Sequence, residues 1–143
     1  MKIVNFGSLN IDYVYTVPHF VRPGETLAAV RRDIFPGGKG LNQTTALTRA
    51  LGKASGIEIC IAGGIGKNDG AILKQAIIDM NVDKALLGEY DAPSGHTFIQ
   101  VDASGQNSIV YYAGTNKMQT KDFIDGVLAH FSKGDFIVLQ NEI

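Results

Sequence analysis

The chain has 143 residues, of which 45% are hydrophobic, 19% are charged and 8% are aromatic. This composition is typical of a folded globular domain and excludes a disordered chain. Thirteen basic and fourteen acidic residues leave a net charge of -1, so there is no excess of positive charge for nucleic acid or anionic lipid. No apolar run approaches membrane-spanning length, and the start MKIVNFGSLNID lacks the pattern of a signal peptide. We therefore expect a cytoplasmic protein that binds neither nucleic acid nor membrane.

The first third of the chain alternates short apolar runs with turn residues. Lys2 to Phe6 predicts a strand, and the aromatic and β-branched residues 13–17 predict a second one. Residues 26–35 predict a third strand, with a charged middle that indicates exposure to solvent. Apolar residues recur at helical spacing over residues 42–51, which predicts the first helix, with Asn42 at its start as a candidate N-cap.

The middle of the chain begins with a run that is apolar throughout. Residues 57–62 predict a buried strand, and the glycines of 63–66 predict a tight turn before a second helix over residues 72–80. Cys60, the only cysteine, lies in this run and cannot form an internal disulfide. We expect it to be a small buried side chain and not a reactive thiol.

The last third of the chain predicts a hairpin, a helix and a final strand. Residues 96–101 and 108–112 are two strands joined by the turn-forming DASGQN. Thr120 is a candidate N-cap for a helix whose apolar stripe runs from Phe123 to Phe131. Residues 136–139 predict the last strand.

Alternation of strands and helices predicts an α/β fold with a mostly parallel sheet flanked by helices. Segments 13–17 and 26–35 and the hairpin do not fit this alternation, so we expect them to form a small separate β-sheet. Parallel strands need helices on both faces. The buried strand near the end of the chain leaves too few covering elements, and we therefore expect the chain to be part of a larger protein.

The loop FPGGKGLNQ, residues 35–43, invites comparison with phosphate-binding motifs. A P-loop requires G-x-x-x-x-G-K-[ST], but here the leading spacing is absent and Gly40 follows Lys39 where Ser or Thr should be. The glycines of 63–70 likewise miss the G-x-G-x-x-G spacing of a dinucleotide-binding turn. The sequence therefore does not indicate nucleotide binding at either loop.

A polyhydroxylated neutral ligand fits the polar residues better than a phosphate does. Gly37 and Gly38 allow the backbone to approach a ligand closely, and carboxylates, amides and a lysine can pair with hydroxyls. Ligands bind beyond the carboxyl ends of the strands in open α/β sheets, where we expect a group of polar side chains: Asn10, Asp12, Lys39, Asn42 and Glu142. The three histidines have no partners at metal-ligand spacing, so we expect no metal site.

Several ordered motifs give the chain a family resemblance over essentially its whole length. They resemble the N-terminal half of the ribokinases, which belong to the phosphofructokinase-B family of carbohydrate kinases. The matching motifs are GSLNID (7–12), PGET (23–26), GGKGLNQ (37–43), GxxGxxDG (63–70), SG (94–95) and AGTN (113–116).

The resemblance implies a fold and a reaction. Residues 1–143 would be the N-terminal part of a ribokinase-like domain, with inserted segments at about 13–35 and 95–113 forming a lid over the sugar and pairing with a second subunit's lid in a homodimer. The reaction would transfer the γ-phosphoryl group of ATP to the 5-hydroxyl of D-ribose. The residues that match the family's sugar site are Asn10, Asp12, Gly38, Lys39, Gly40, Asn42 and Glu142.

The resemblance also implies which parts of the enzyme are missing. The family's catalytic-base aspartate, its anion hole, its ATP pocket with Mg²⁺ and its monovalent-cation site, which would take K⁺, all belong to the C-terminal half. No catalytic residue is therefore assigned, and we expect the isolated chain to be inactive. Two alternatives remain: a related kinase for a nucleoside, fructose or another small alcohol, and a non-catalytic sugar-binding or dimerisation module.

Overall fold

The structure is a computed structural model that describes residues 1–51 and 56–143. Eight strands and three α-helices are present in these ranges, together with a short 3₁₀ helix, Gly114–Lys117. The strands are β1 Lys2–Phe6, β2 Asn10–Thr16, β3 Arg31–Gly37, β4 Glu58–Gly66, β5 Asp83–Tyr90, β6 Gly95–Val101, β7 Asn107–Tyr112 and β8 Phe136–Leu139. The helices are α1 Lys39–Leu51, α2 Ala71–Asp79 and α3 Lys121–Leu128.

The main sheet has four parallel strands in the order β5-β4-β1-β8, which confirms the predicted α/β class. Successive side chains along its strands point alternately into two apolar layers, one on each face, as expected for a sheet with helices on both faces. On one face Ile61 and Ile65 pack with residues of α1 and α2, including Leu41 and Leu73. On the other face, residues of β1 and β4 pack against α3 through Val127.

The second sheet is mixed, with strand order β3-β2-β6-β7. The predicted hairpin is present as the antiparallel pair β6–β7, and β2 lies between its antiparallel neighbour β3 and its parallel neighbour β6. The register pairs Asn10 with Gly95 and Asp12 with Thr97. The prediction of a small separate sheet is therefore confirmed.

Several predicted boundaries are wrong near the glycine loop. β2 begins at Asn10 instead of residue 13, because its pairing with β6 starts at the Asn10–Gly95 position. β3 begins at Arg31 instead of residue 26. Helix α1 begins at Lys39, directly after Gly38, whose carbonyl accepts the backbone N–H of Asn42 at 3.0 Å. Asn42 is therefore inside the helix and is not its N-cap.

The predicted turn at residues 63–66 is also wrong, because these residues continue β4. A run of glycines resembles a turn in sequence, but here it allows other backbone to approach the strand. A Cβ on Gly64 would lie 2.6 Å from the carbonyl oxygen of Thr115, whose hydroxyl donates to the Gly64 carbonyl at 2.9 Å. Strand β5, which the sequence analysis did not predict, pairs with this glycine-rich half of β4.

The predicted N-cap of α3 and the predicted burial of Cys60 are confirmed. The hydroxyl of Thr120 accepts a hydrogen bond from the backbone N–H of Phe123 and caps α3. Phe131 lies beyond the end of α3 at Leu128, so the helix is shorter than the predicted apolar stripe. Cys60 is buried, with 1% of its surface exposed. Within the described ranges, no helix has both the length and the apolar character needed to span a membrane.

Candidate functional site

Ser8, in the short connection between β1 and β2, joins three parts of the chain. It is fully buried, and its backbone N–H donates to Gln140 Oε1 at 2.8 Å. Its hydroxyl donates to Glu142 Oε2 at 2.9 Å and accepts the backbone N–H of Lys39 at 3.2 Å. The start of α1 and the segment after β8 are thus held at the carboxyl end of β1.

Lys39 and Glu142 form an ion pair at this edge of the sheet. Burial by itself would raise the pKa of Glu142, but hydrogen bonds from Lys39 and Ser8, with the charge of Lys39, outweigh it and hold that pKa below its ordinary value. Glu142 is therefore ionised at neutral pH. The Lys39 side chain remains 67% exposed, so it is also accessible to a ligand.

Asn10 and Asp12 project from the same face of β2, because side chains two positions apart in a strand share a face. The hydroxyl of Thr97, opposite Asp12 in β6, donates to Asp12 Oδ1 at 2.6 Å. Asn10 is 5% exposed, and its Oδ1 accepts a hydrogen bond of 2.7 Å from Asn116 Nδ2. Both β2 side chains are thus fixed by neighbours.

These residues line a cavity of about 360 Å³ between the second sheet and the start of α1. Its volume is within the range of small-molecule sites. The complete lining is Asn10, Asp12, Gly38, Lys39, Asn42, Thr97, Ile99, Ile109, Tyr111 and Glu142. The structure thus brings together six of the seven residues that the sequence analysis assigned to a sugar site.

Gly40 is the seventh residue, and the structure places it away from the cavity. It is buried within α1, and a Cβ at this position would lie 2.5 Å from the carbonyl carbon of Gly7. Its carbonyl oxygen accepts hydrogen bonds from Asn5 Nδ2 at 2.7 Å and from the Thr44 hydroxyl at 3.0 Å. Its position is that of a packing residue that lets α1 approach the end of β1.

Sequence reasoning missed the residues that the second sheet contributes. Thr97 and Ile99 of β6 and Ile109 and Tyr111 of β7 face the cavity. The hairpin prediction together with the period-2 alternation of strands was the only available signal for them. It could not be used, because the parallel pairing of β6 with β2 was not predicted.

A second group of polar side chains lies on β4 and β5, away from the cavity. The ligand atoms of Glu58, Cys60 and Asp83 lie within 4.8 Å of one another, and Lys2 is 3.8 Å from Glu58. Burial, together with the two carboxylates, raises the pKa of the Cys60 thiol to about 12. The thiol is therefore protonated at neutral pH, unlike a metal ligand or a nucleophile.

Comparison with known proteins identifies the family of the chain. The family model of the pfkB family carbohydrate kinases matches residues 1–142. The chain belongs to this family. Among pfkB relatives, it is 34% identical to the ribokinase of Haemophilus influenzae over 137 residues, which is 95% of this chain and 44% of that protein.

Solved structures of pfkB kinases superpose on the chain. A ribokinase from Thermotoga maritima gives a TM-score of 0.84 at 36% identity, covering 99% of this chain and 45% of the other. The ribokinase of Arabidopsis thaliana, solved in complex with ribose and ATP, gives a TM-score of 0.78 at 25% identity, covering 99% and 46%. The chain thus spans a little under half the length of these pfkB relatives.

Proposed function

We propose that this chain is the acceptor-binding half of an ATP-dependent sugar kinase that converts D-ribose to D-ribose 5-phosphate. The observation that supports this most is the cavity, where an amide, a carboxylate and an ion pair converge beside a glycine turn. Each sugar hydroxyl can donate one hydrogen bond and accept others, so neutral amides and carboxylates suit it. The relatives named ribokinase support ribose as the acceptor.

The residues of this chain would bind and orient the acceptor. Asp12 Oδ2 has no hydrogen bond within the described part of the chain and is available to accept one from a sugar hydroxyl. Lys39 and Glu142 would bind further hydroxyls, and the lining residues of β6 and β7 would exclude water from one side of the sugar. Orientation of this kind lowers the barrier of phosphoryl transfer, which asks little covalent chemistry of the protein.

ATP, Mg²⁺ and K⁺ belong to the same proposal, but the cavity does not suit a Mg²⁺ ion. Mg²⁺ requires a near-octahedral set of oxygen ligands. Here one oxygen of Asp12 is bonded to Thr97, and Glu142 is paired with Lys39 and Ser8. We therefore assign no nucleotide or cation ligand to this chain. When bound elsewhere, Mg²⁺ would offset the charge of the transferring phosphoryl group.

Calorimetric titration of the protein at its full natural length tests the acceptor. We expect saturable binding of ribose and much weaker binding of fructose and adenosine, which represent the alternative acceptors. Asp12→Asn should weaken ribose binding, whereas Asp33→Asn should not, because Asp33 pairs with Arg31 outside the cavity. Saturation by another acceptor while ribose fails to bind would contradict the proposal.

An activity assay of the purified 143-residue chain tests whether this chain alone can catalyse phosphoryl transfer. We expect no ATP-dependent phosphorylation of ribose by it, because the family resemblance places the catalytic-base aspartate and the ATP pocket in the C-terminal half. Detectable turnover would refute this. Ribose binding without turnover in the full-length protein would instead favour the non-catalytic binding module.

We also propose a homodimer formed through the second sheet. The face of this sheet opposite the cavity exposes large apolar side chains, which is typical of an interface: Phe98 46%, Val110 66% and Tyr112 54%. Sedimentation of the full-length protein should give a dimer, and Val110→Lys should shift it toward monomer.

A cytoplasmic location is part of the proposal, because ATP is the donor and the thiol of Cys60 is free.

A further inference from the structure

Asn116 lies in the 3₁₀ helix after β7 and does not line the cavity, yet it contacts a residue that does. Its side chain is fully buried. Its Oδ1 accepts the backbone N–H of Leu9 at 2.9 Å. Its Nδ2 donates to Asn10 Oδ1 at 2.7 Å and to the Leu9 carbonyl at 3.3 Å.

These contacts fix the orientation of the Asn116 side-chain amide and, through it, that of the Asn10 side-chain amide. A backbone N–H can only donate and a carbonyl can only accept, so the two Leu9 groups determine which end of the Asn116 amide is oxygen. Asn116 must then direct Nδ2 toward Asn10, and Asn10 must accept this hydrogen bond with Oδ1. In the described part of the chain nothing accepts from Asn10 Nδ2, which remains available as a donor at the cavity.

Asp12, which lies beside Asn10, offers a hydrogen-bond acceptor at the cavity where Asn10 offers a donor. Its Oδ1 is occupied by the Thr97 hydroxyl at 2.6 Å, which leaves Oδ2 as an acceptor. Because Asn10 and Asp12 are two positions apart on one face of β2, the wall of the cavity presents a donor next to an acceptor.

We propose that Asn116 is a positioning residue that sets the direction of hydrogen bonding in the acceptor site. The hydroxyl that faces Asn10 must accept a hydrogen bond, and the hydroxyl that faces Asp12 must donate one. This inference rests on the proposed function in one respect, namely that a polyhydroxylated ligand occupies the cavity.

Gly95 gives independent support, because the Asn10–Asn116 bond occupies the space where a side chain would be. Gly95 is paired with Asn10 in the β2–β6 register. A Cβ there would lie 2.1 Å from Asn116 Nδ2 and 2.4 Å from Asn10 Oδ1. Any other residue at this position would displace one of the two amides.

The first test requires no ligand. In the full-length protein without sugar, NMR should show slow hydrogen exchange for the side-chain amide of Asn116, whose two hydrogens are bonded and buried. The side-chain amide of Asn10 should exchange fast. Slow exchange at Asn10 with fast exchange at Asn116 would overturn the inference, whether or not the protein binds ribose.

The second test is kinetic and compares neighbours of equal burial. In Asn116→Asp a carboxylate oxygen would face Asn10, which would then turn its own oxygen into the cavity. KM for ribose should rise about tenfold or more, the cost of one misdirected buried hydrogen bond, with kcat less affected. The matched control is Thr115→Val, since Thr115 is also fully buried but bonds to the Gly64 carbonyl and not to the site. It should lower thermal stability and leave KM unchanged.

A third variant covers the case in which Asn116→Asp fails to fold. Asn10→Asp keeps an oxygen for Asn116 and replaces only the donor at the cavity. Its KM should also rise about tenfold or more, and its melting temperature shows whether the added carboxylate leaves the fold intact. Unchanged KM in Asn10→Asp, or an equal rise in Thr115→Val, would overturn the inference. If the unmodified protein does not use ribose, the proposed function fails and the amide exchange alone decides the role of Asn116.

Discussion

Substitution of Gly38 by alanine should destabilise the protein and disrupt the candidate site together. Gly38 has φ +95°, in the left-handed region that side chains disfavour. A Cβ there would lie 2.6 Å from the carbonyl oxygen of Ser8 and 2.8 Å from the backbone nitrogen of Asn10. Both neighbours are backbone atoms, one in the β1–β2 connection and one at the start of β2, so no side-chain rotation can relieve the contact.

The magnitude is the sum of two terms. The left-handed conformation costs a non-glycine residue about 1–2 kcal/mol. Forcing a methyl group into packed backbone costs about 1–3 kcal/mol more. We therefore expect Gly38→Ala to lower the free energy of unfolding by about 2–5 kcal/mol.

Two other glycines separate these terms. Gly24 has φ +78° but nothing within 4 Å of its Cβ position, so Gly24→Ala should show only the conformational term. Gly37 has no positive φ, but its Cβ would lie 2.0 Å from Asp12 Oδ2. Gly37→Ala should therefore displace the Asp12 side chain and weaken ribose binding, with a smaller loss of stability than Gly38→Ala.

Urea unfolding and ribose titration of the three variants, in the full-length protein, measure both effects. The expected order of destabilisation places Gly38→Ala first and Gly24→Ala well below it. Equal stability of these two variants would show that the contact with the β1–β2 connection does not exist as described. Unchanged ribose affinity in Gly37→Ala would refute the placement of Asp12 in the site.

Three further predictions concern hydrogen bonding and pH. Thr97→Val removes the hydroxyl that donates to Asp12 and should cost about 1.5–3 kcal/mol of stability, read from urea unfolding; no loss would contradict the bond. Burial opposes ionisation of Glu142, but Lys39 and Ser8 hold the pKa of Glu142 below 4.5. The contribution of Glu142 to stability is therefore complete above pH 4.5 and is lost as the pH falls through its lower pKa in the folded protein. Glu142→Gln should flatten the acid limb of a pH–stability curve, and an unchanged limb would argue against the pairing. Burial and nearby carboxylates raise the pKa of Cys60 from 9.0 to about 12, so its contribution is complete below pH 9 and lost as the pH rises toward 12; Cys60→Val should remove that alkaline slope, and a persisting slope would assign it to another group.

The sequence was sufficient for elements whose pattern is local. The apolar spacing of α2, the hairpin of β6 and β7 and the cap at Thr120 each depend on residues within a few positions of one another. β5 was missed because its first residues, Asp83 to Ala85, are exposed and show no alternation that a single sequence could reveal. The glycines of β4 were mistaken for a turn because their role is to admit a distant segment.

The candidate site shows the same division. Its motif residues could be predicted from the family resemblance, and Asn10 and Asp12 do line one cavity with Lys39. Their partners could not be predicted, because Thr97 lies 85 positions from Asp12 and Asn116 lies 106 positions from Asn10. Such pairs depend on the parallel register of β2 with β6, which no local pattern determines.

The outer edge of β8 leads to a last prediction, about the 143-residue chain studied by itself. β8 is the edge strand of the main sheet, with Phe136 58% and Leu139 60% exposed. Beside it runs an apolar groove of about 480 Å³ whose lining includes Ile137 and Ile143. An edge strand with apolar residues on both faces is prone to pair with another chain.

We therefore expect this chain to form species larger than a dimer as its concentration rises, and Leu139→Lys to limit it to a dimer at most. Val110→Lys is the matched control, because Val110 is 66% exposed on β7, an edge strand of the second sheet. It should leave association through β8 intact. Sedimentation velocity at increasing concentration measures the distribution of species. Larger species that persist in Leu139→Lys, or a Val110→Lys chain that stays monomeric at every concentration, would show that the β8 edge does not drive association.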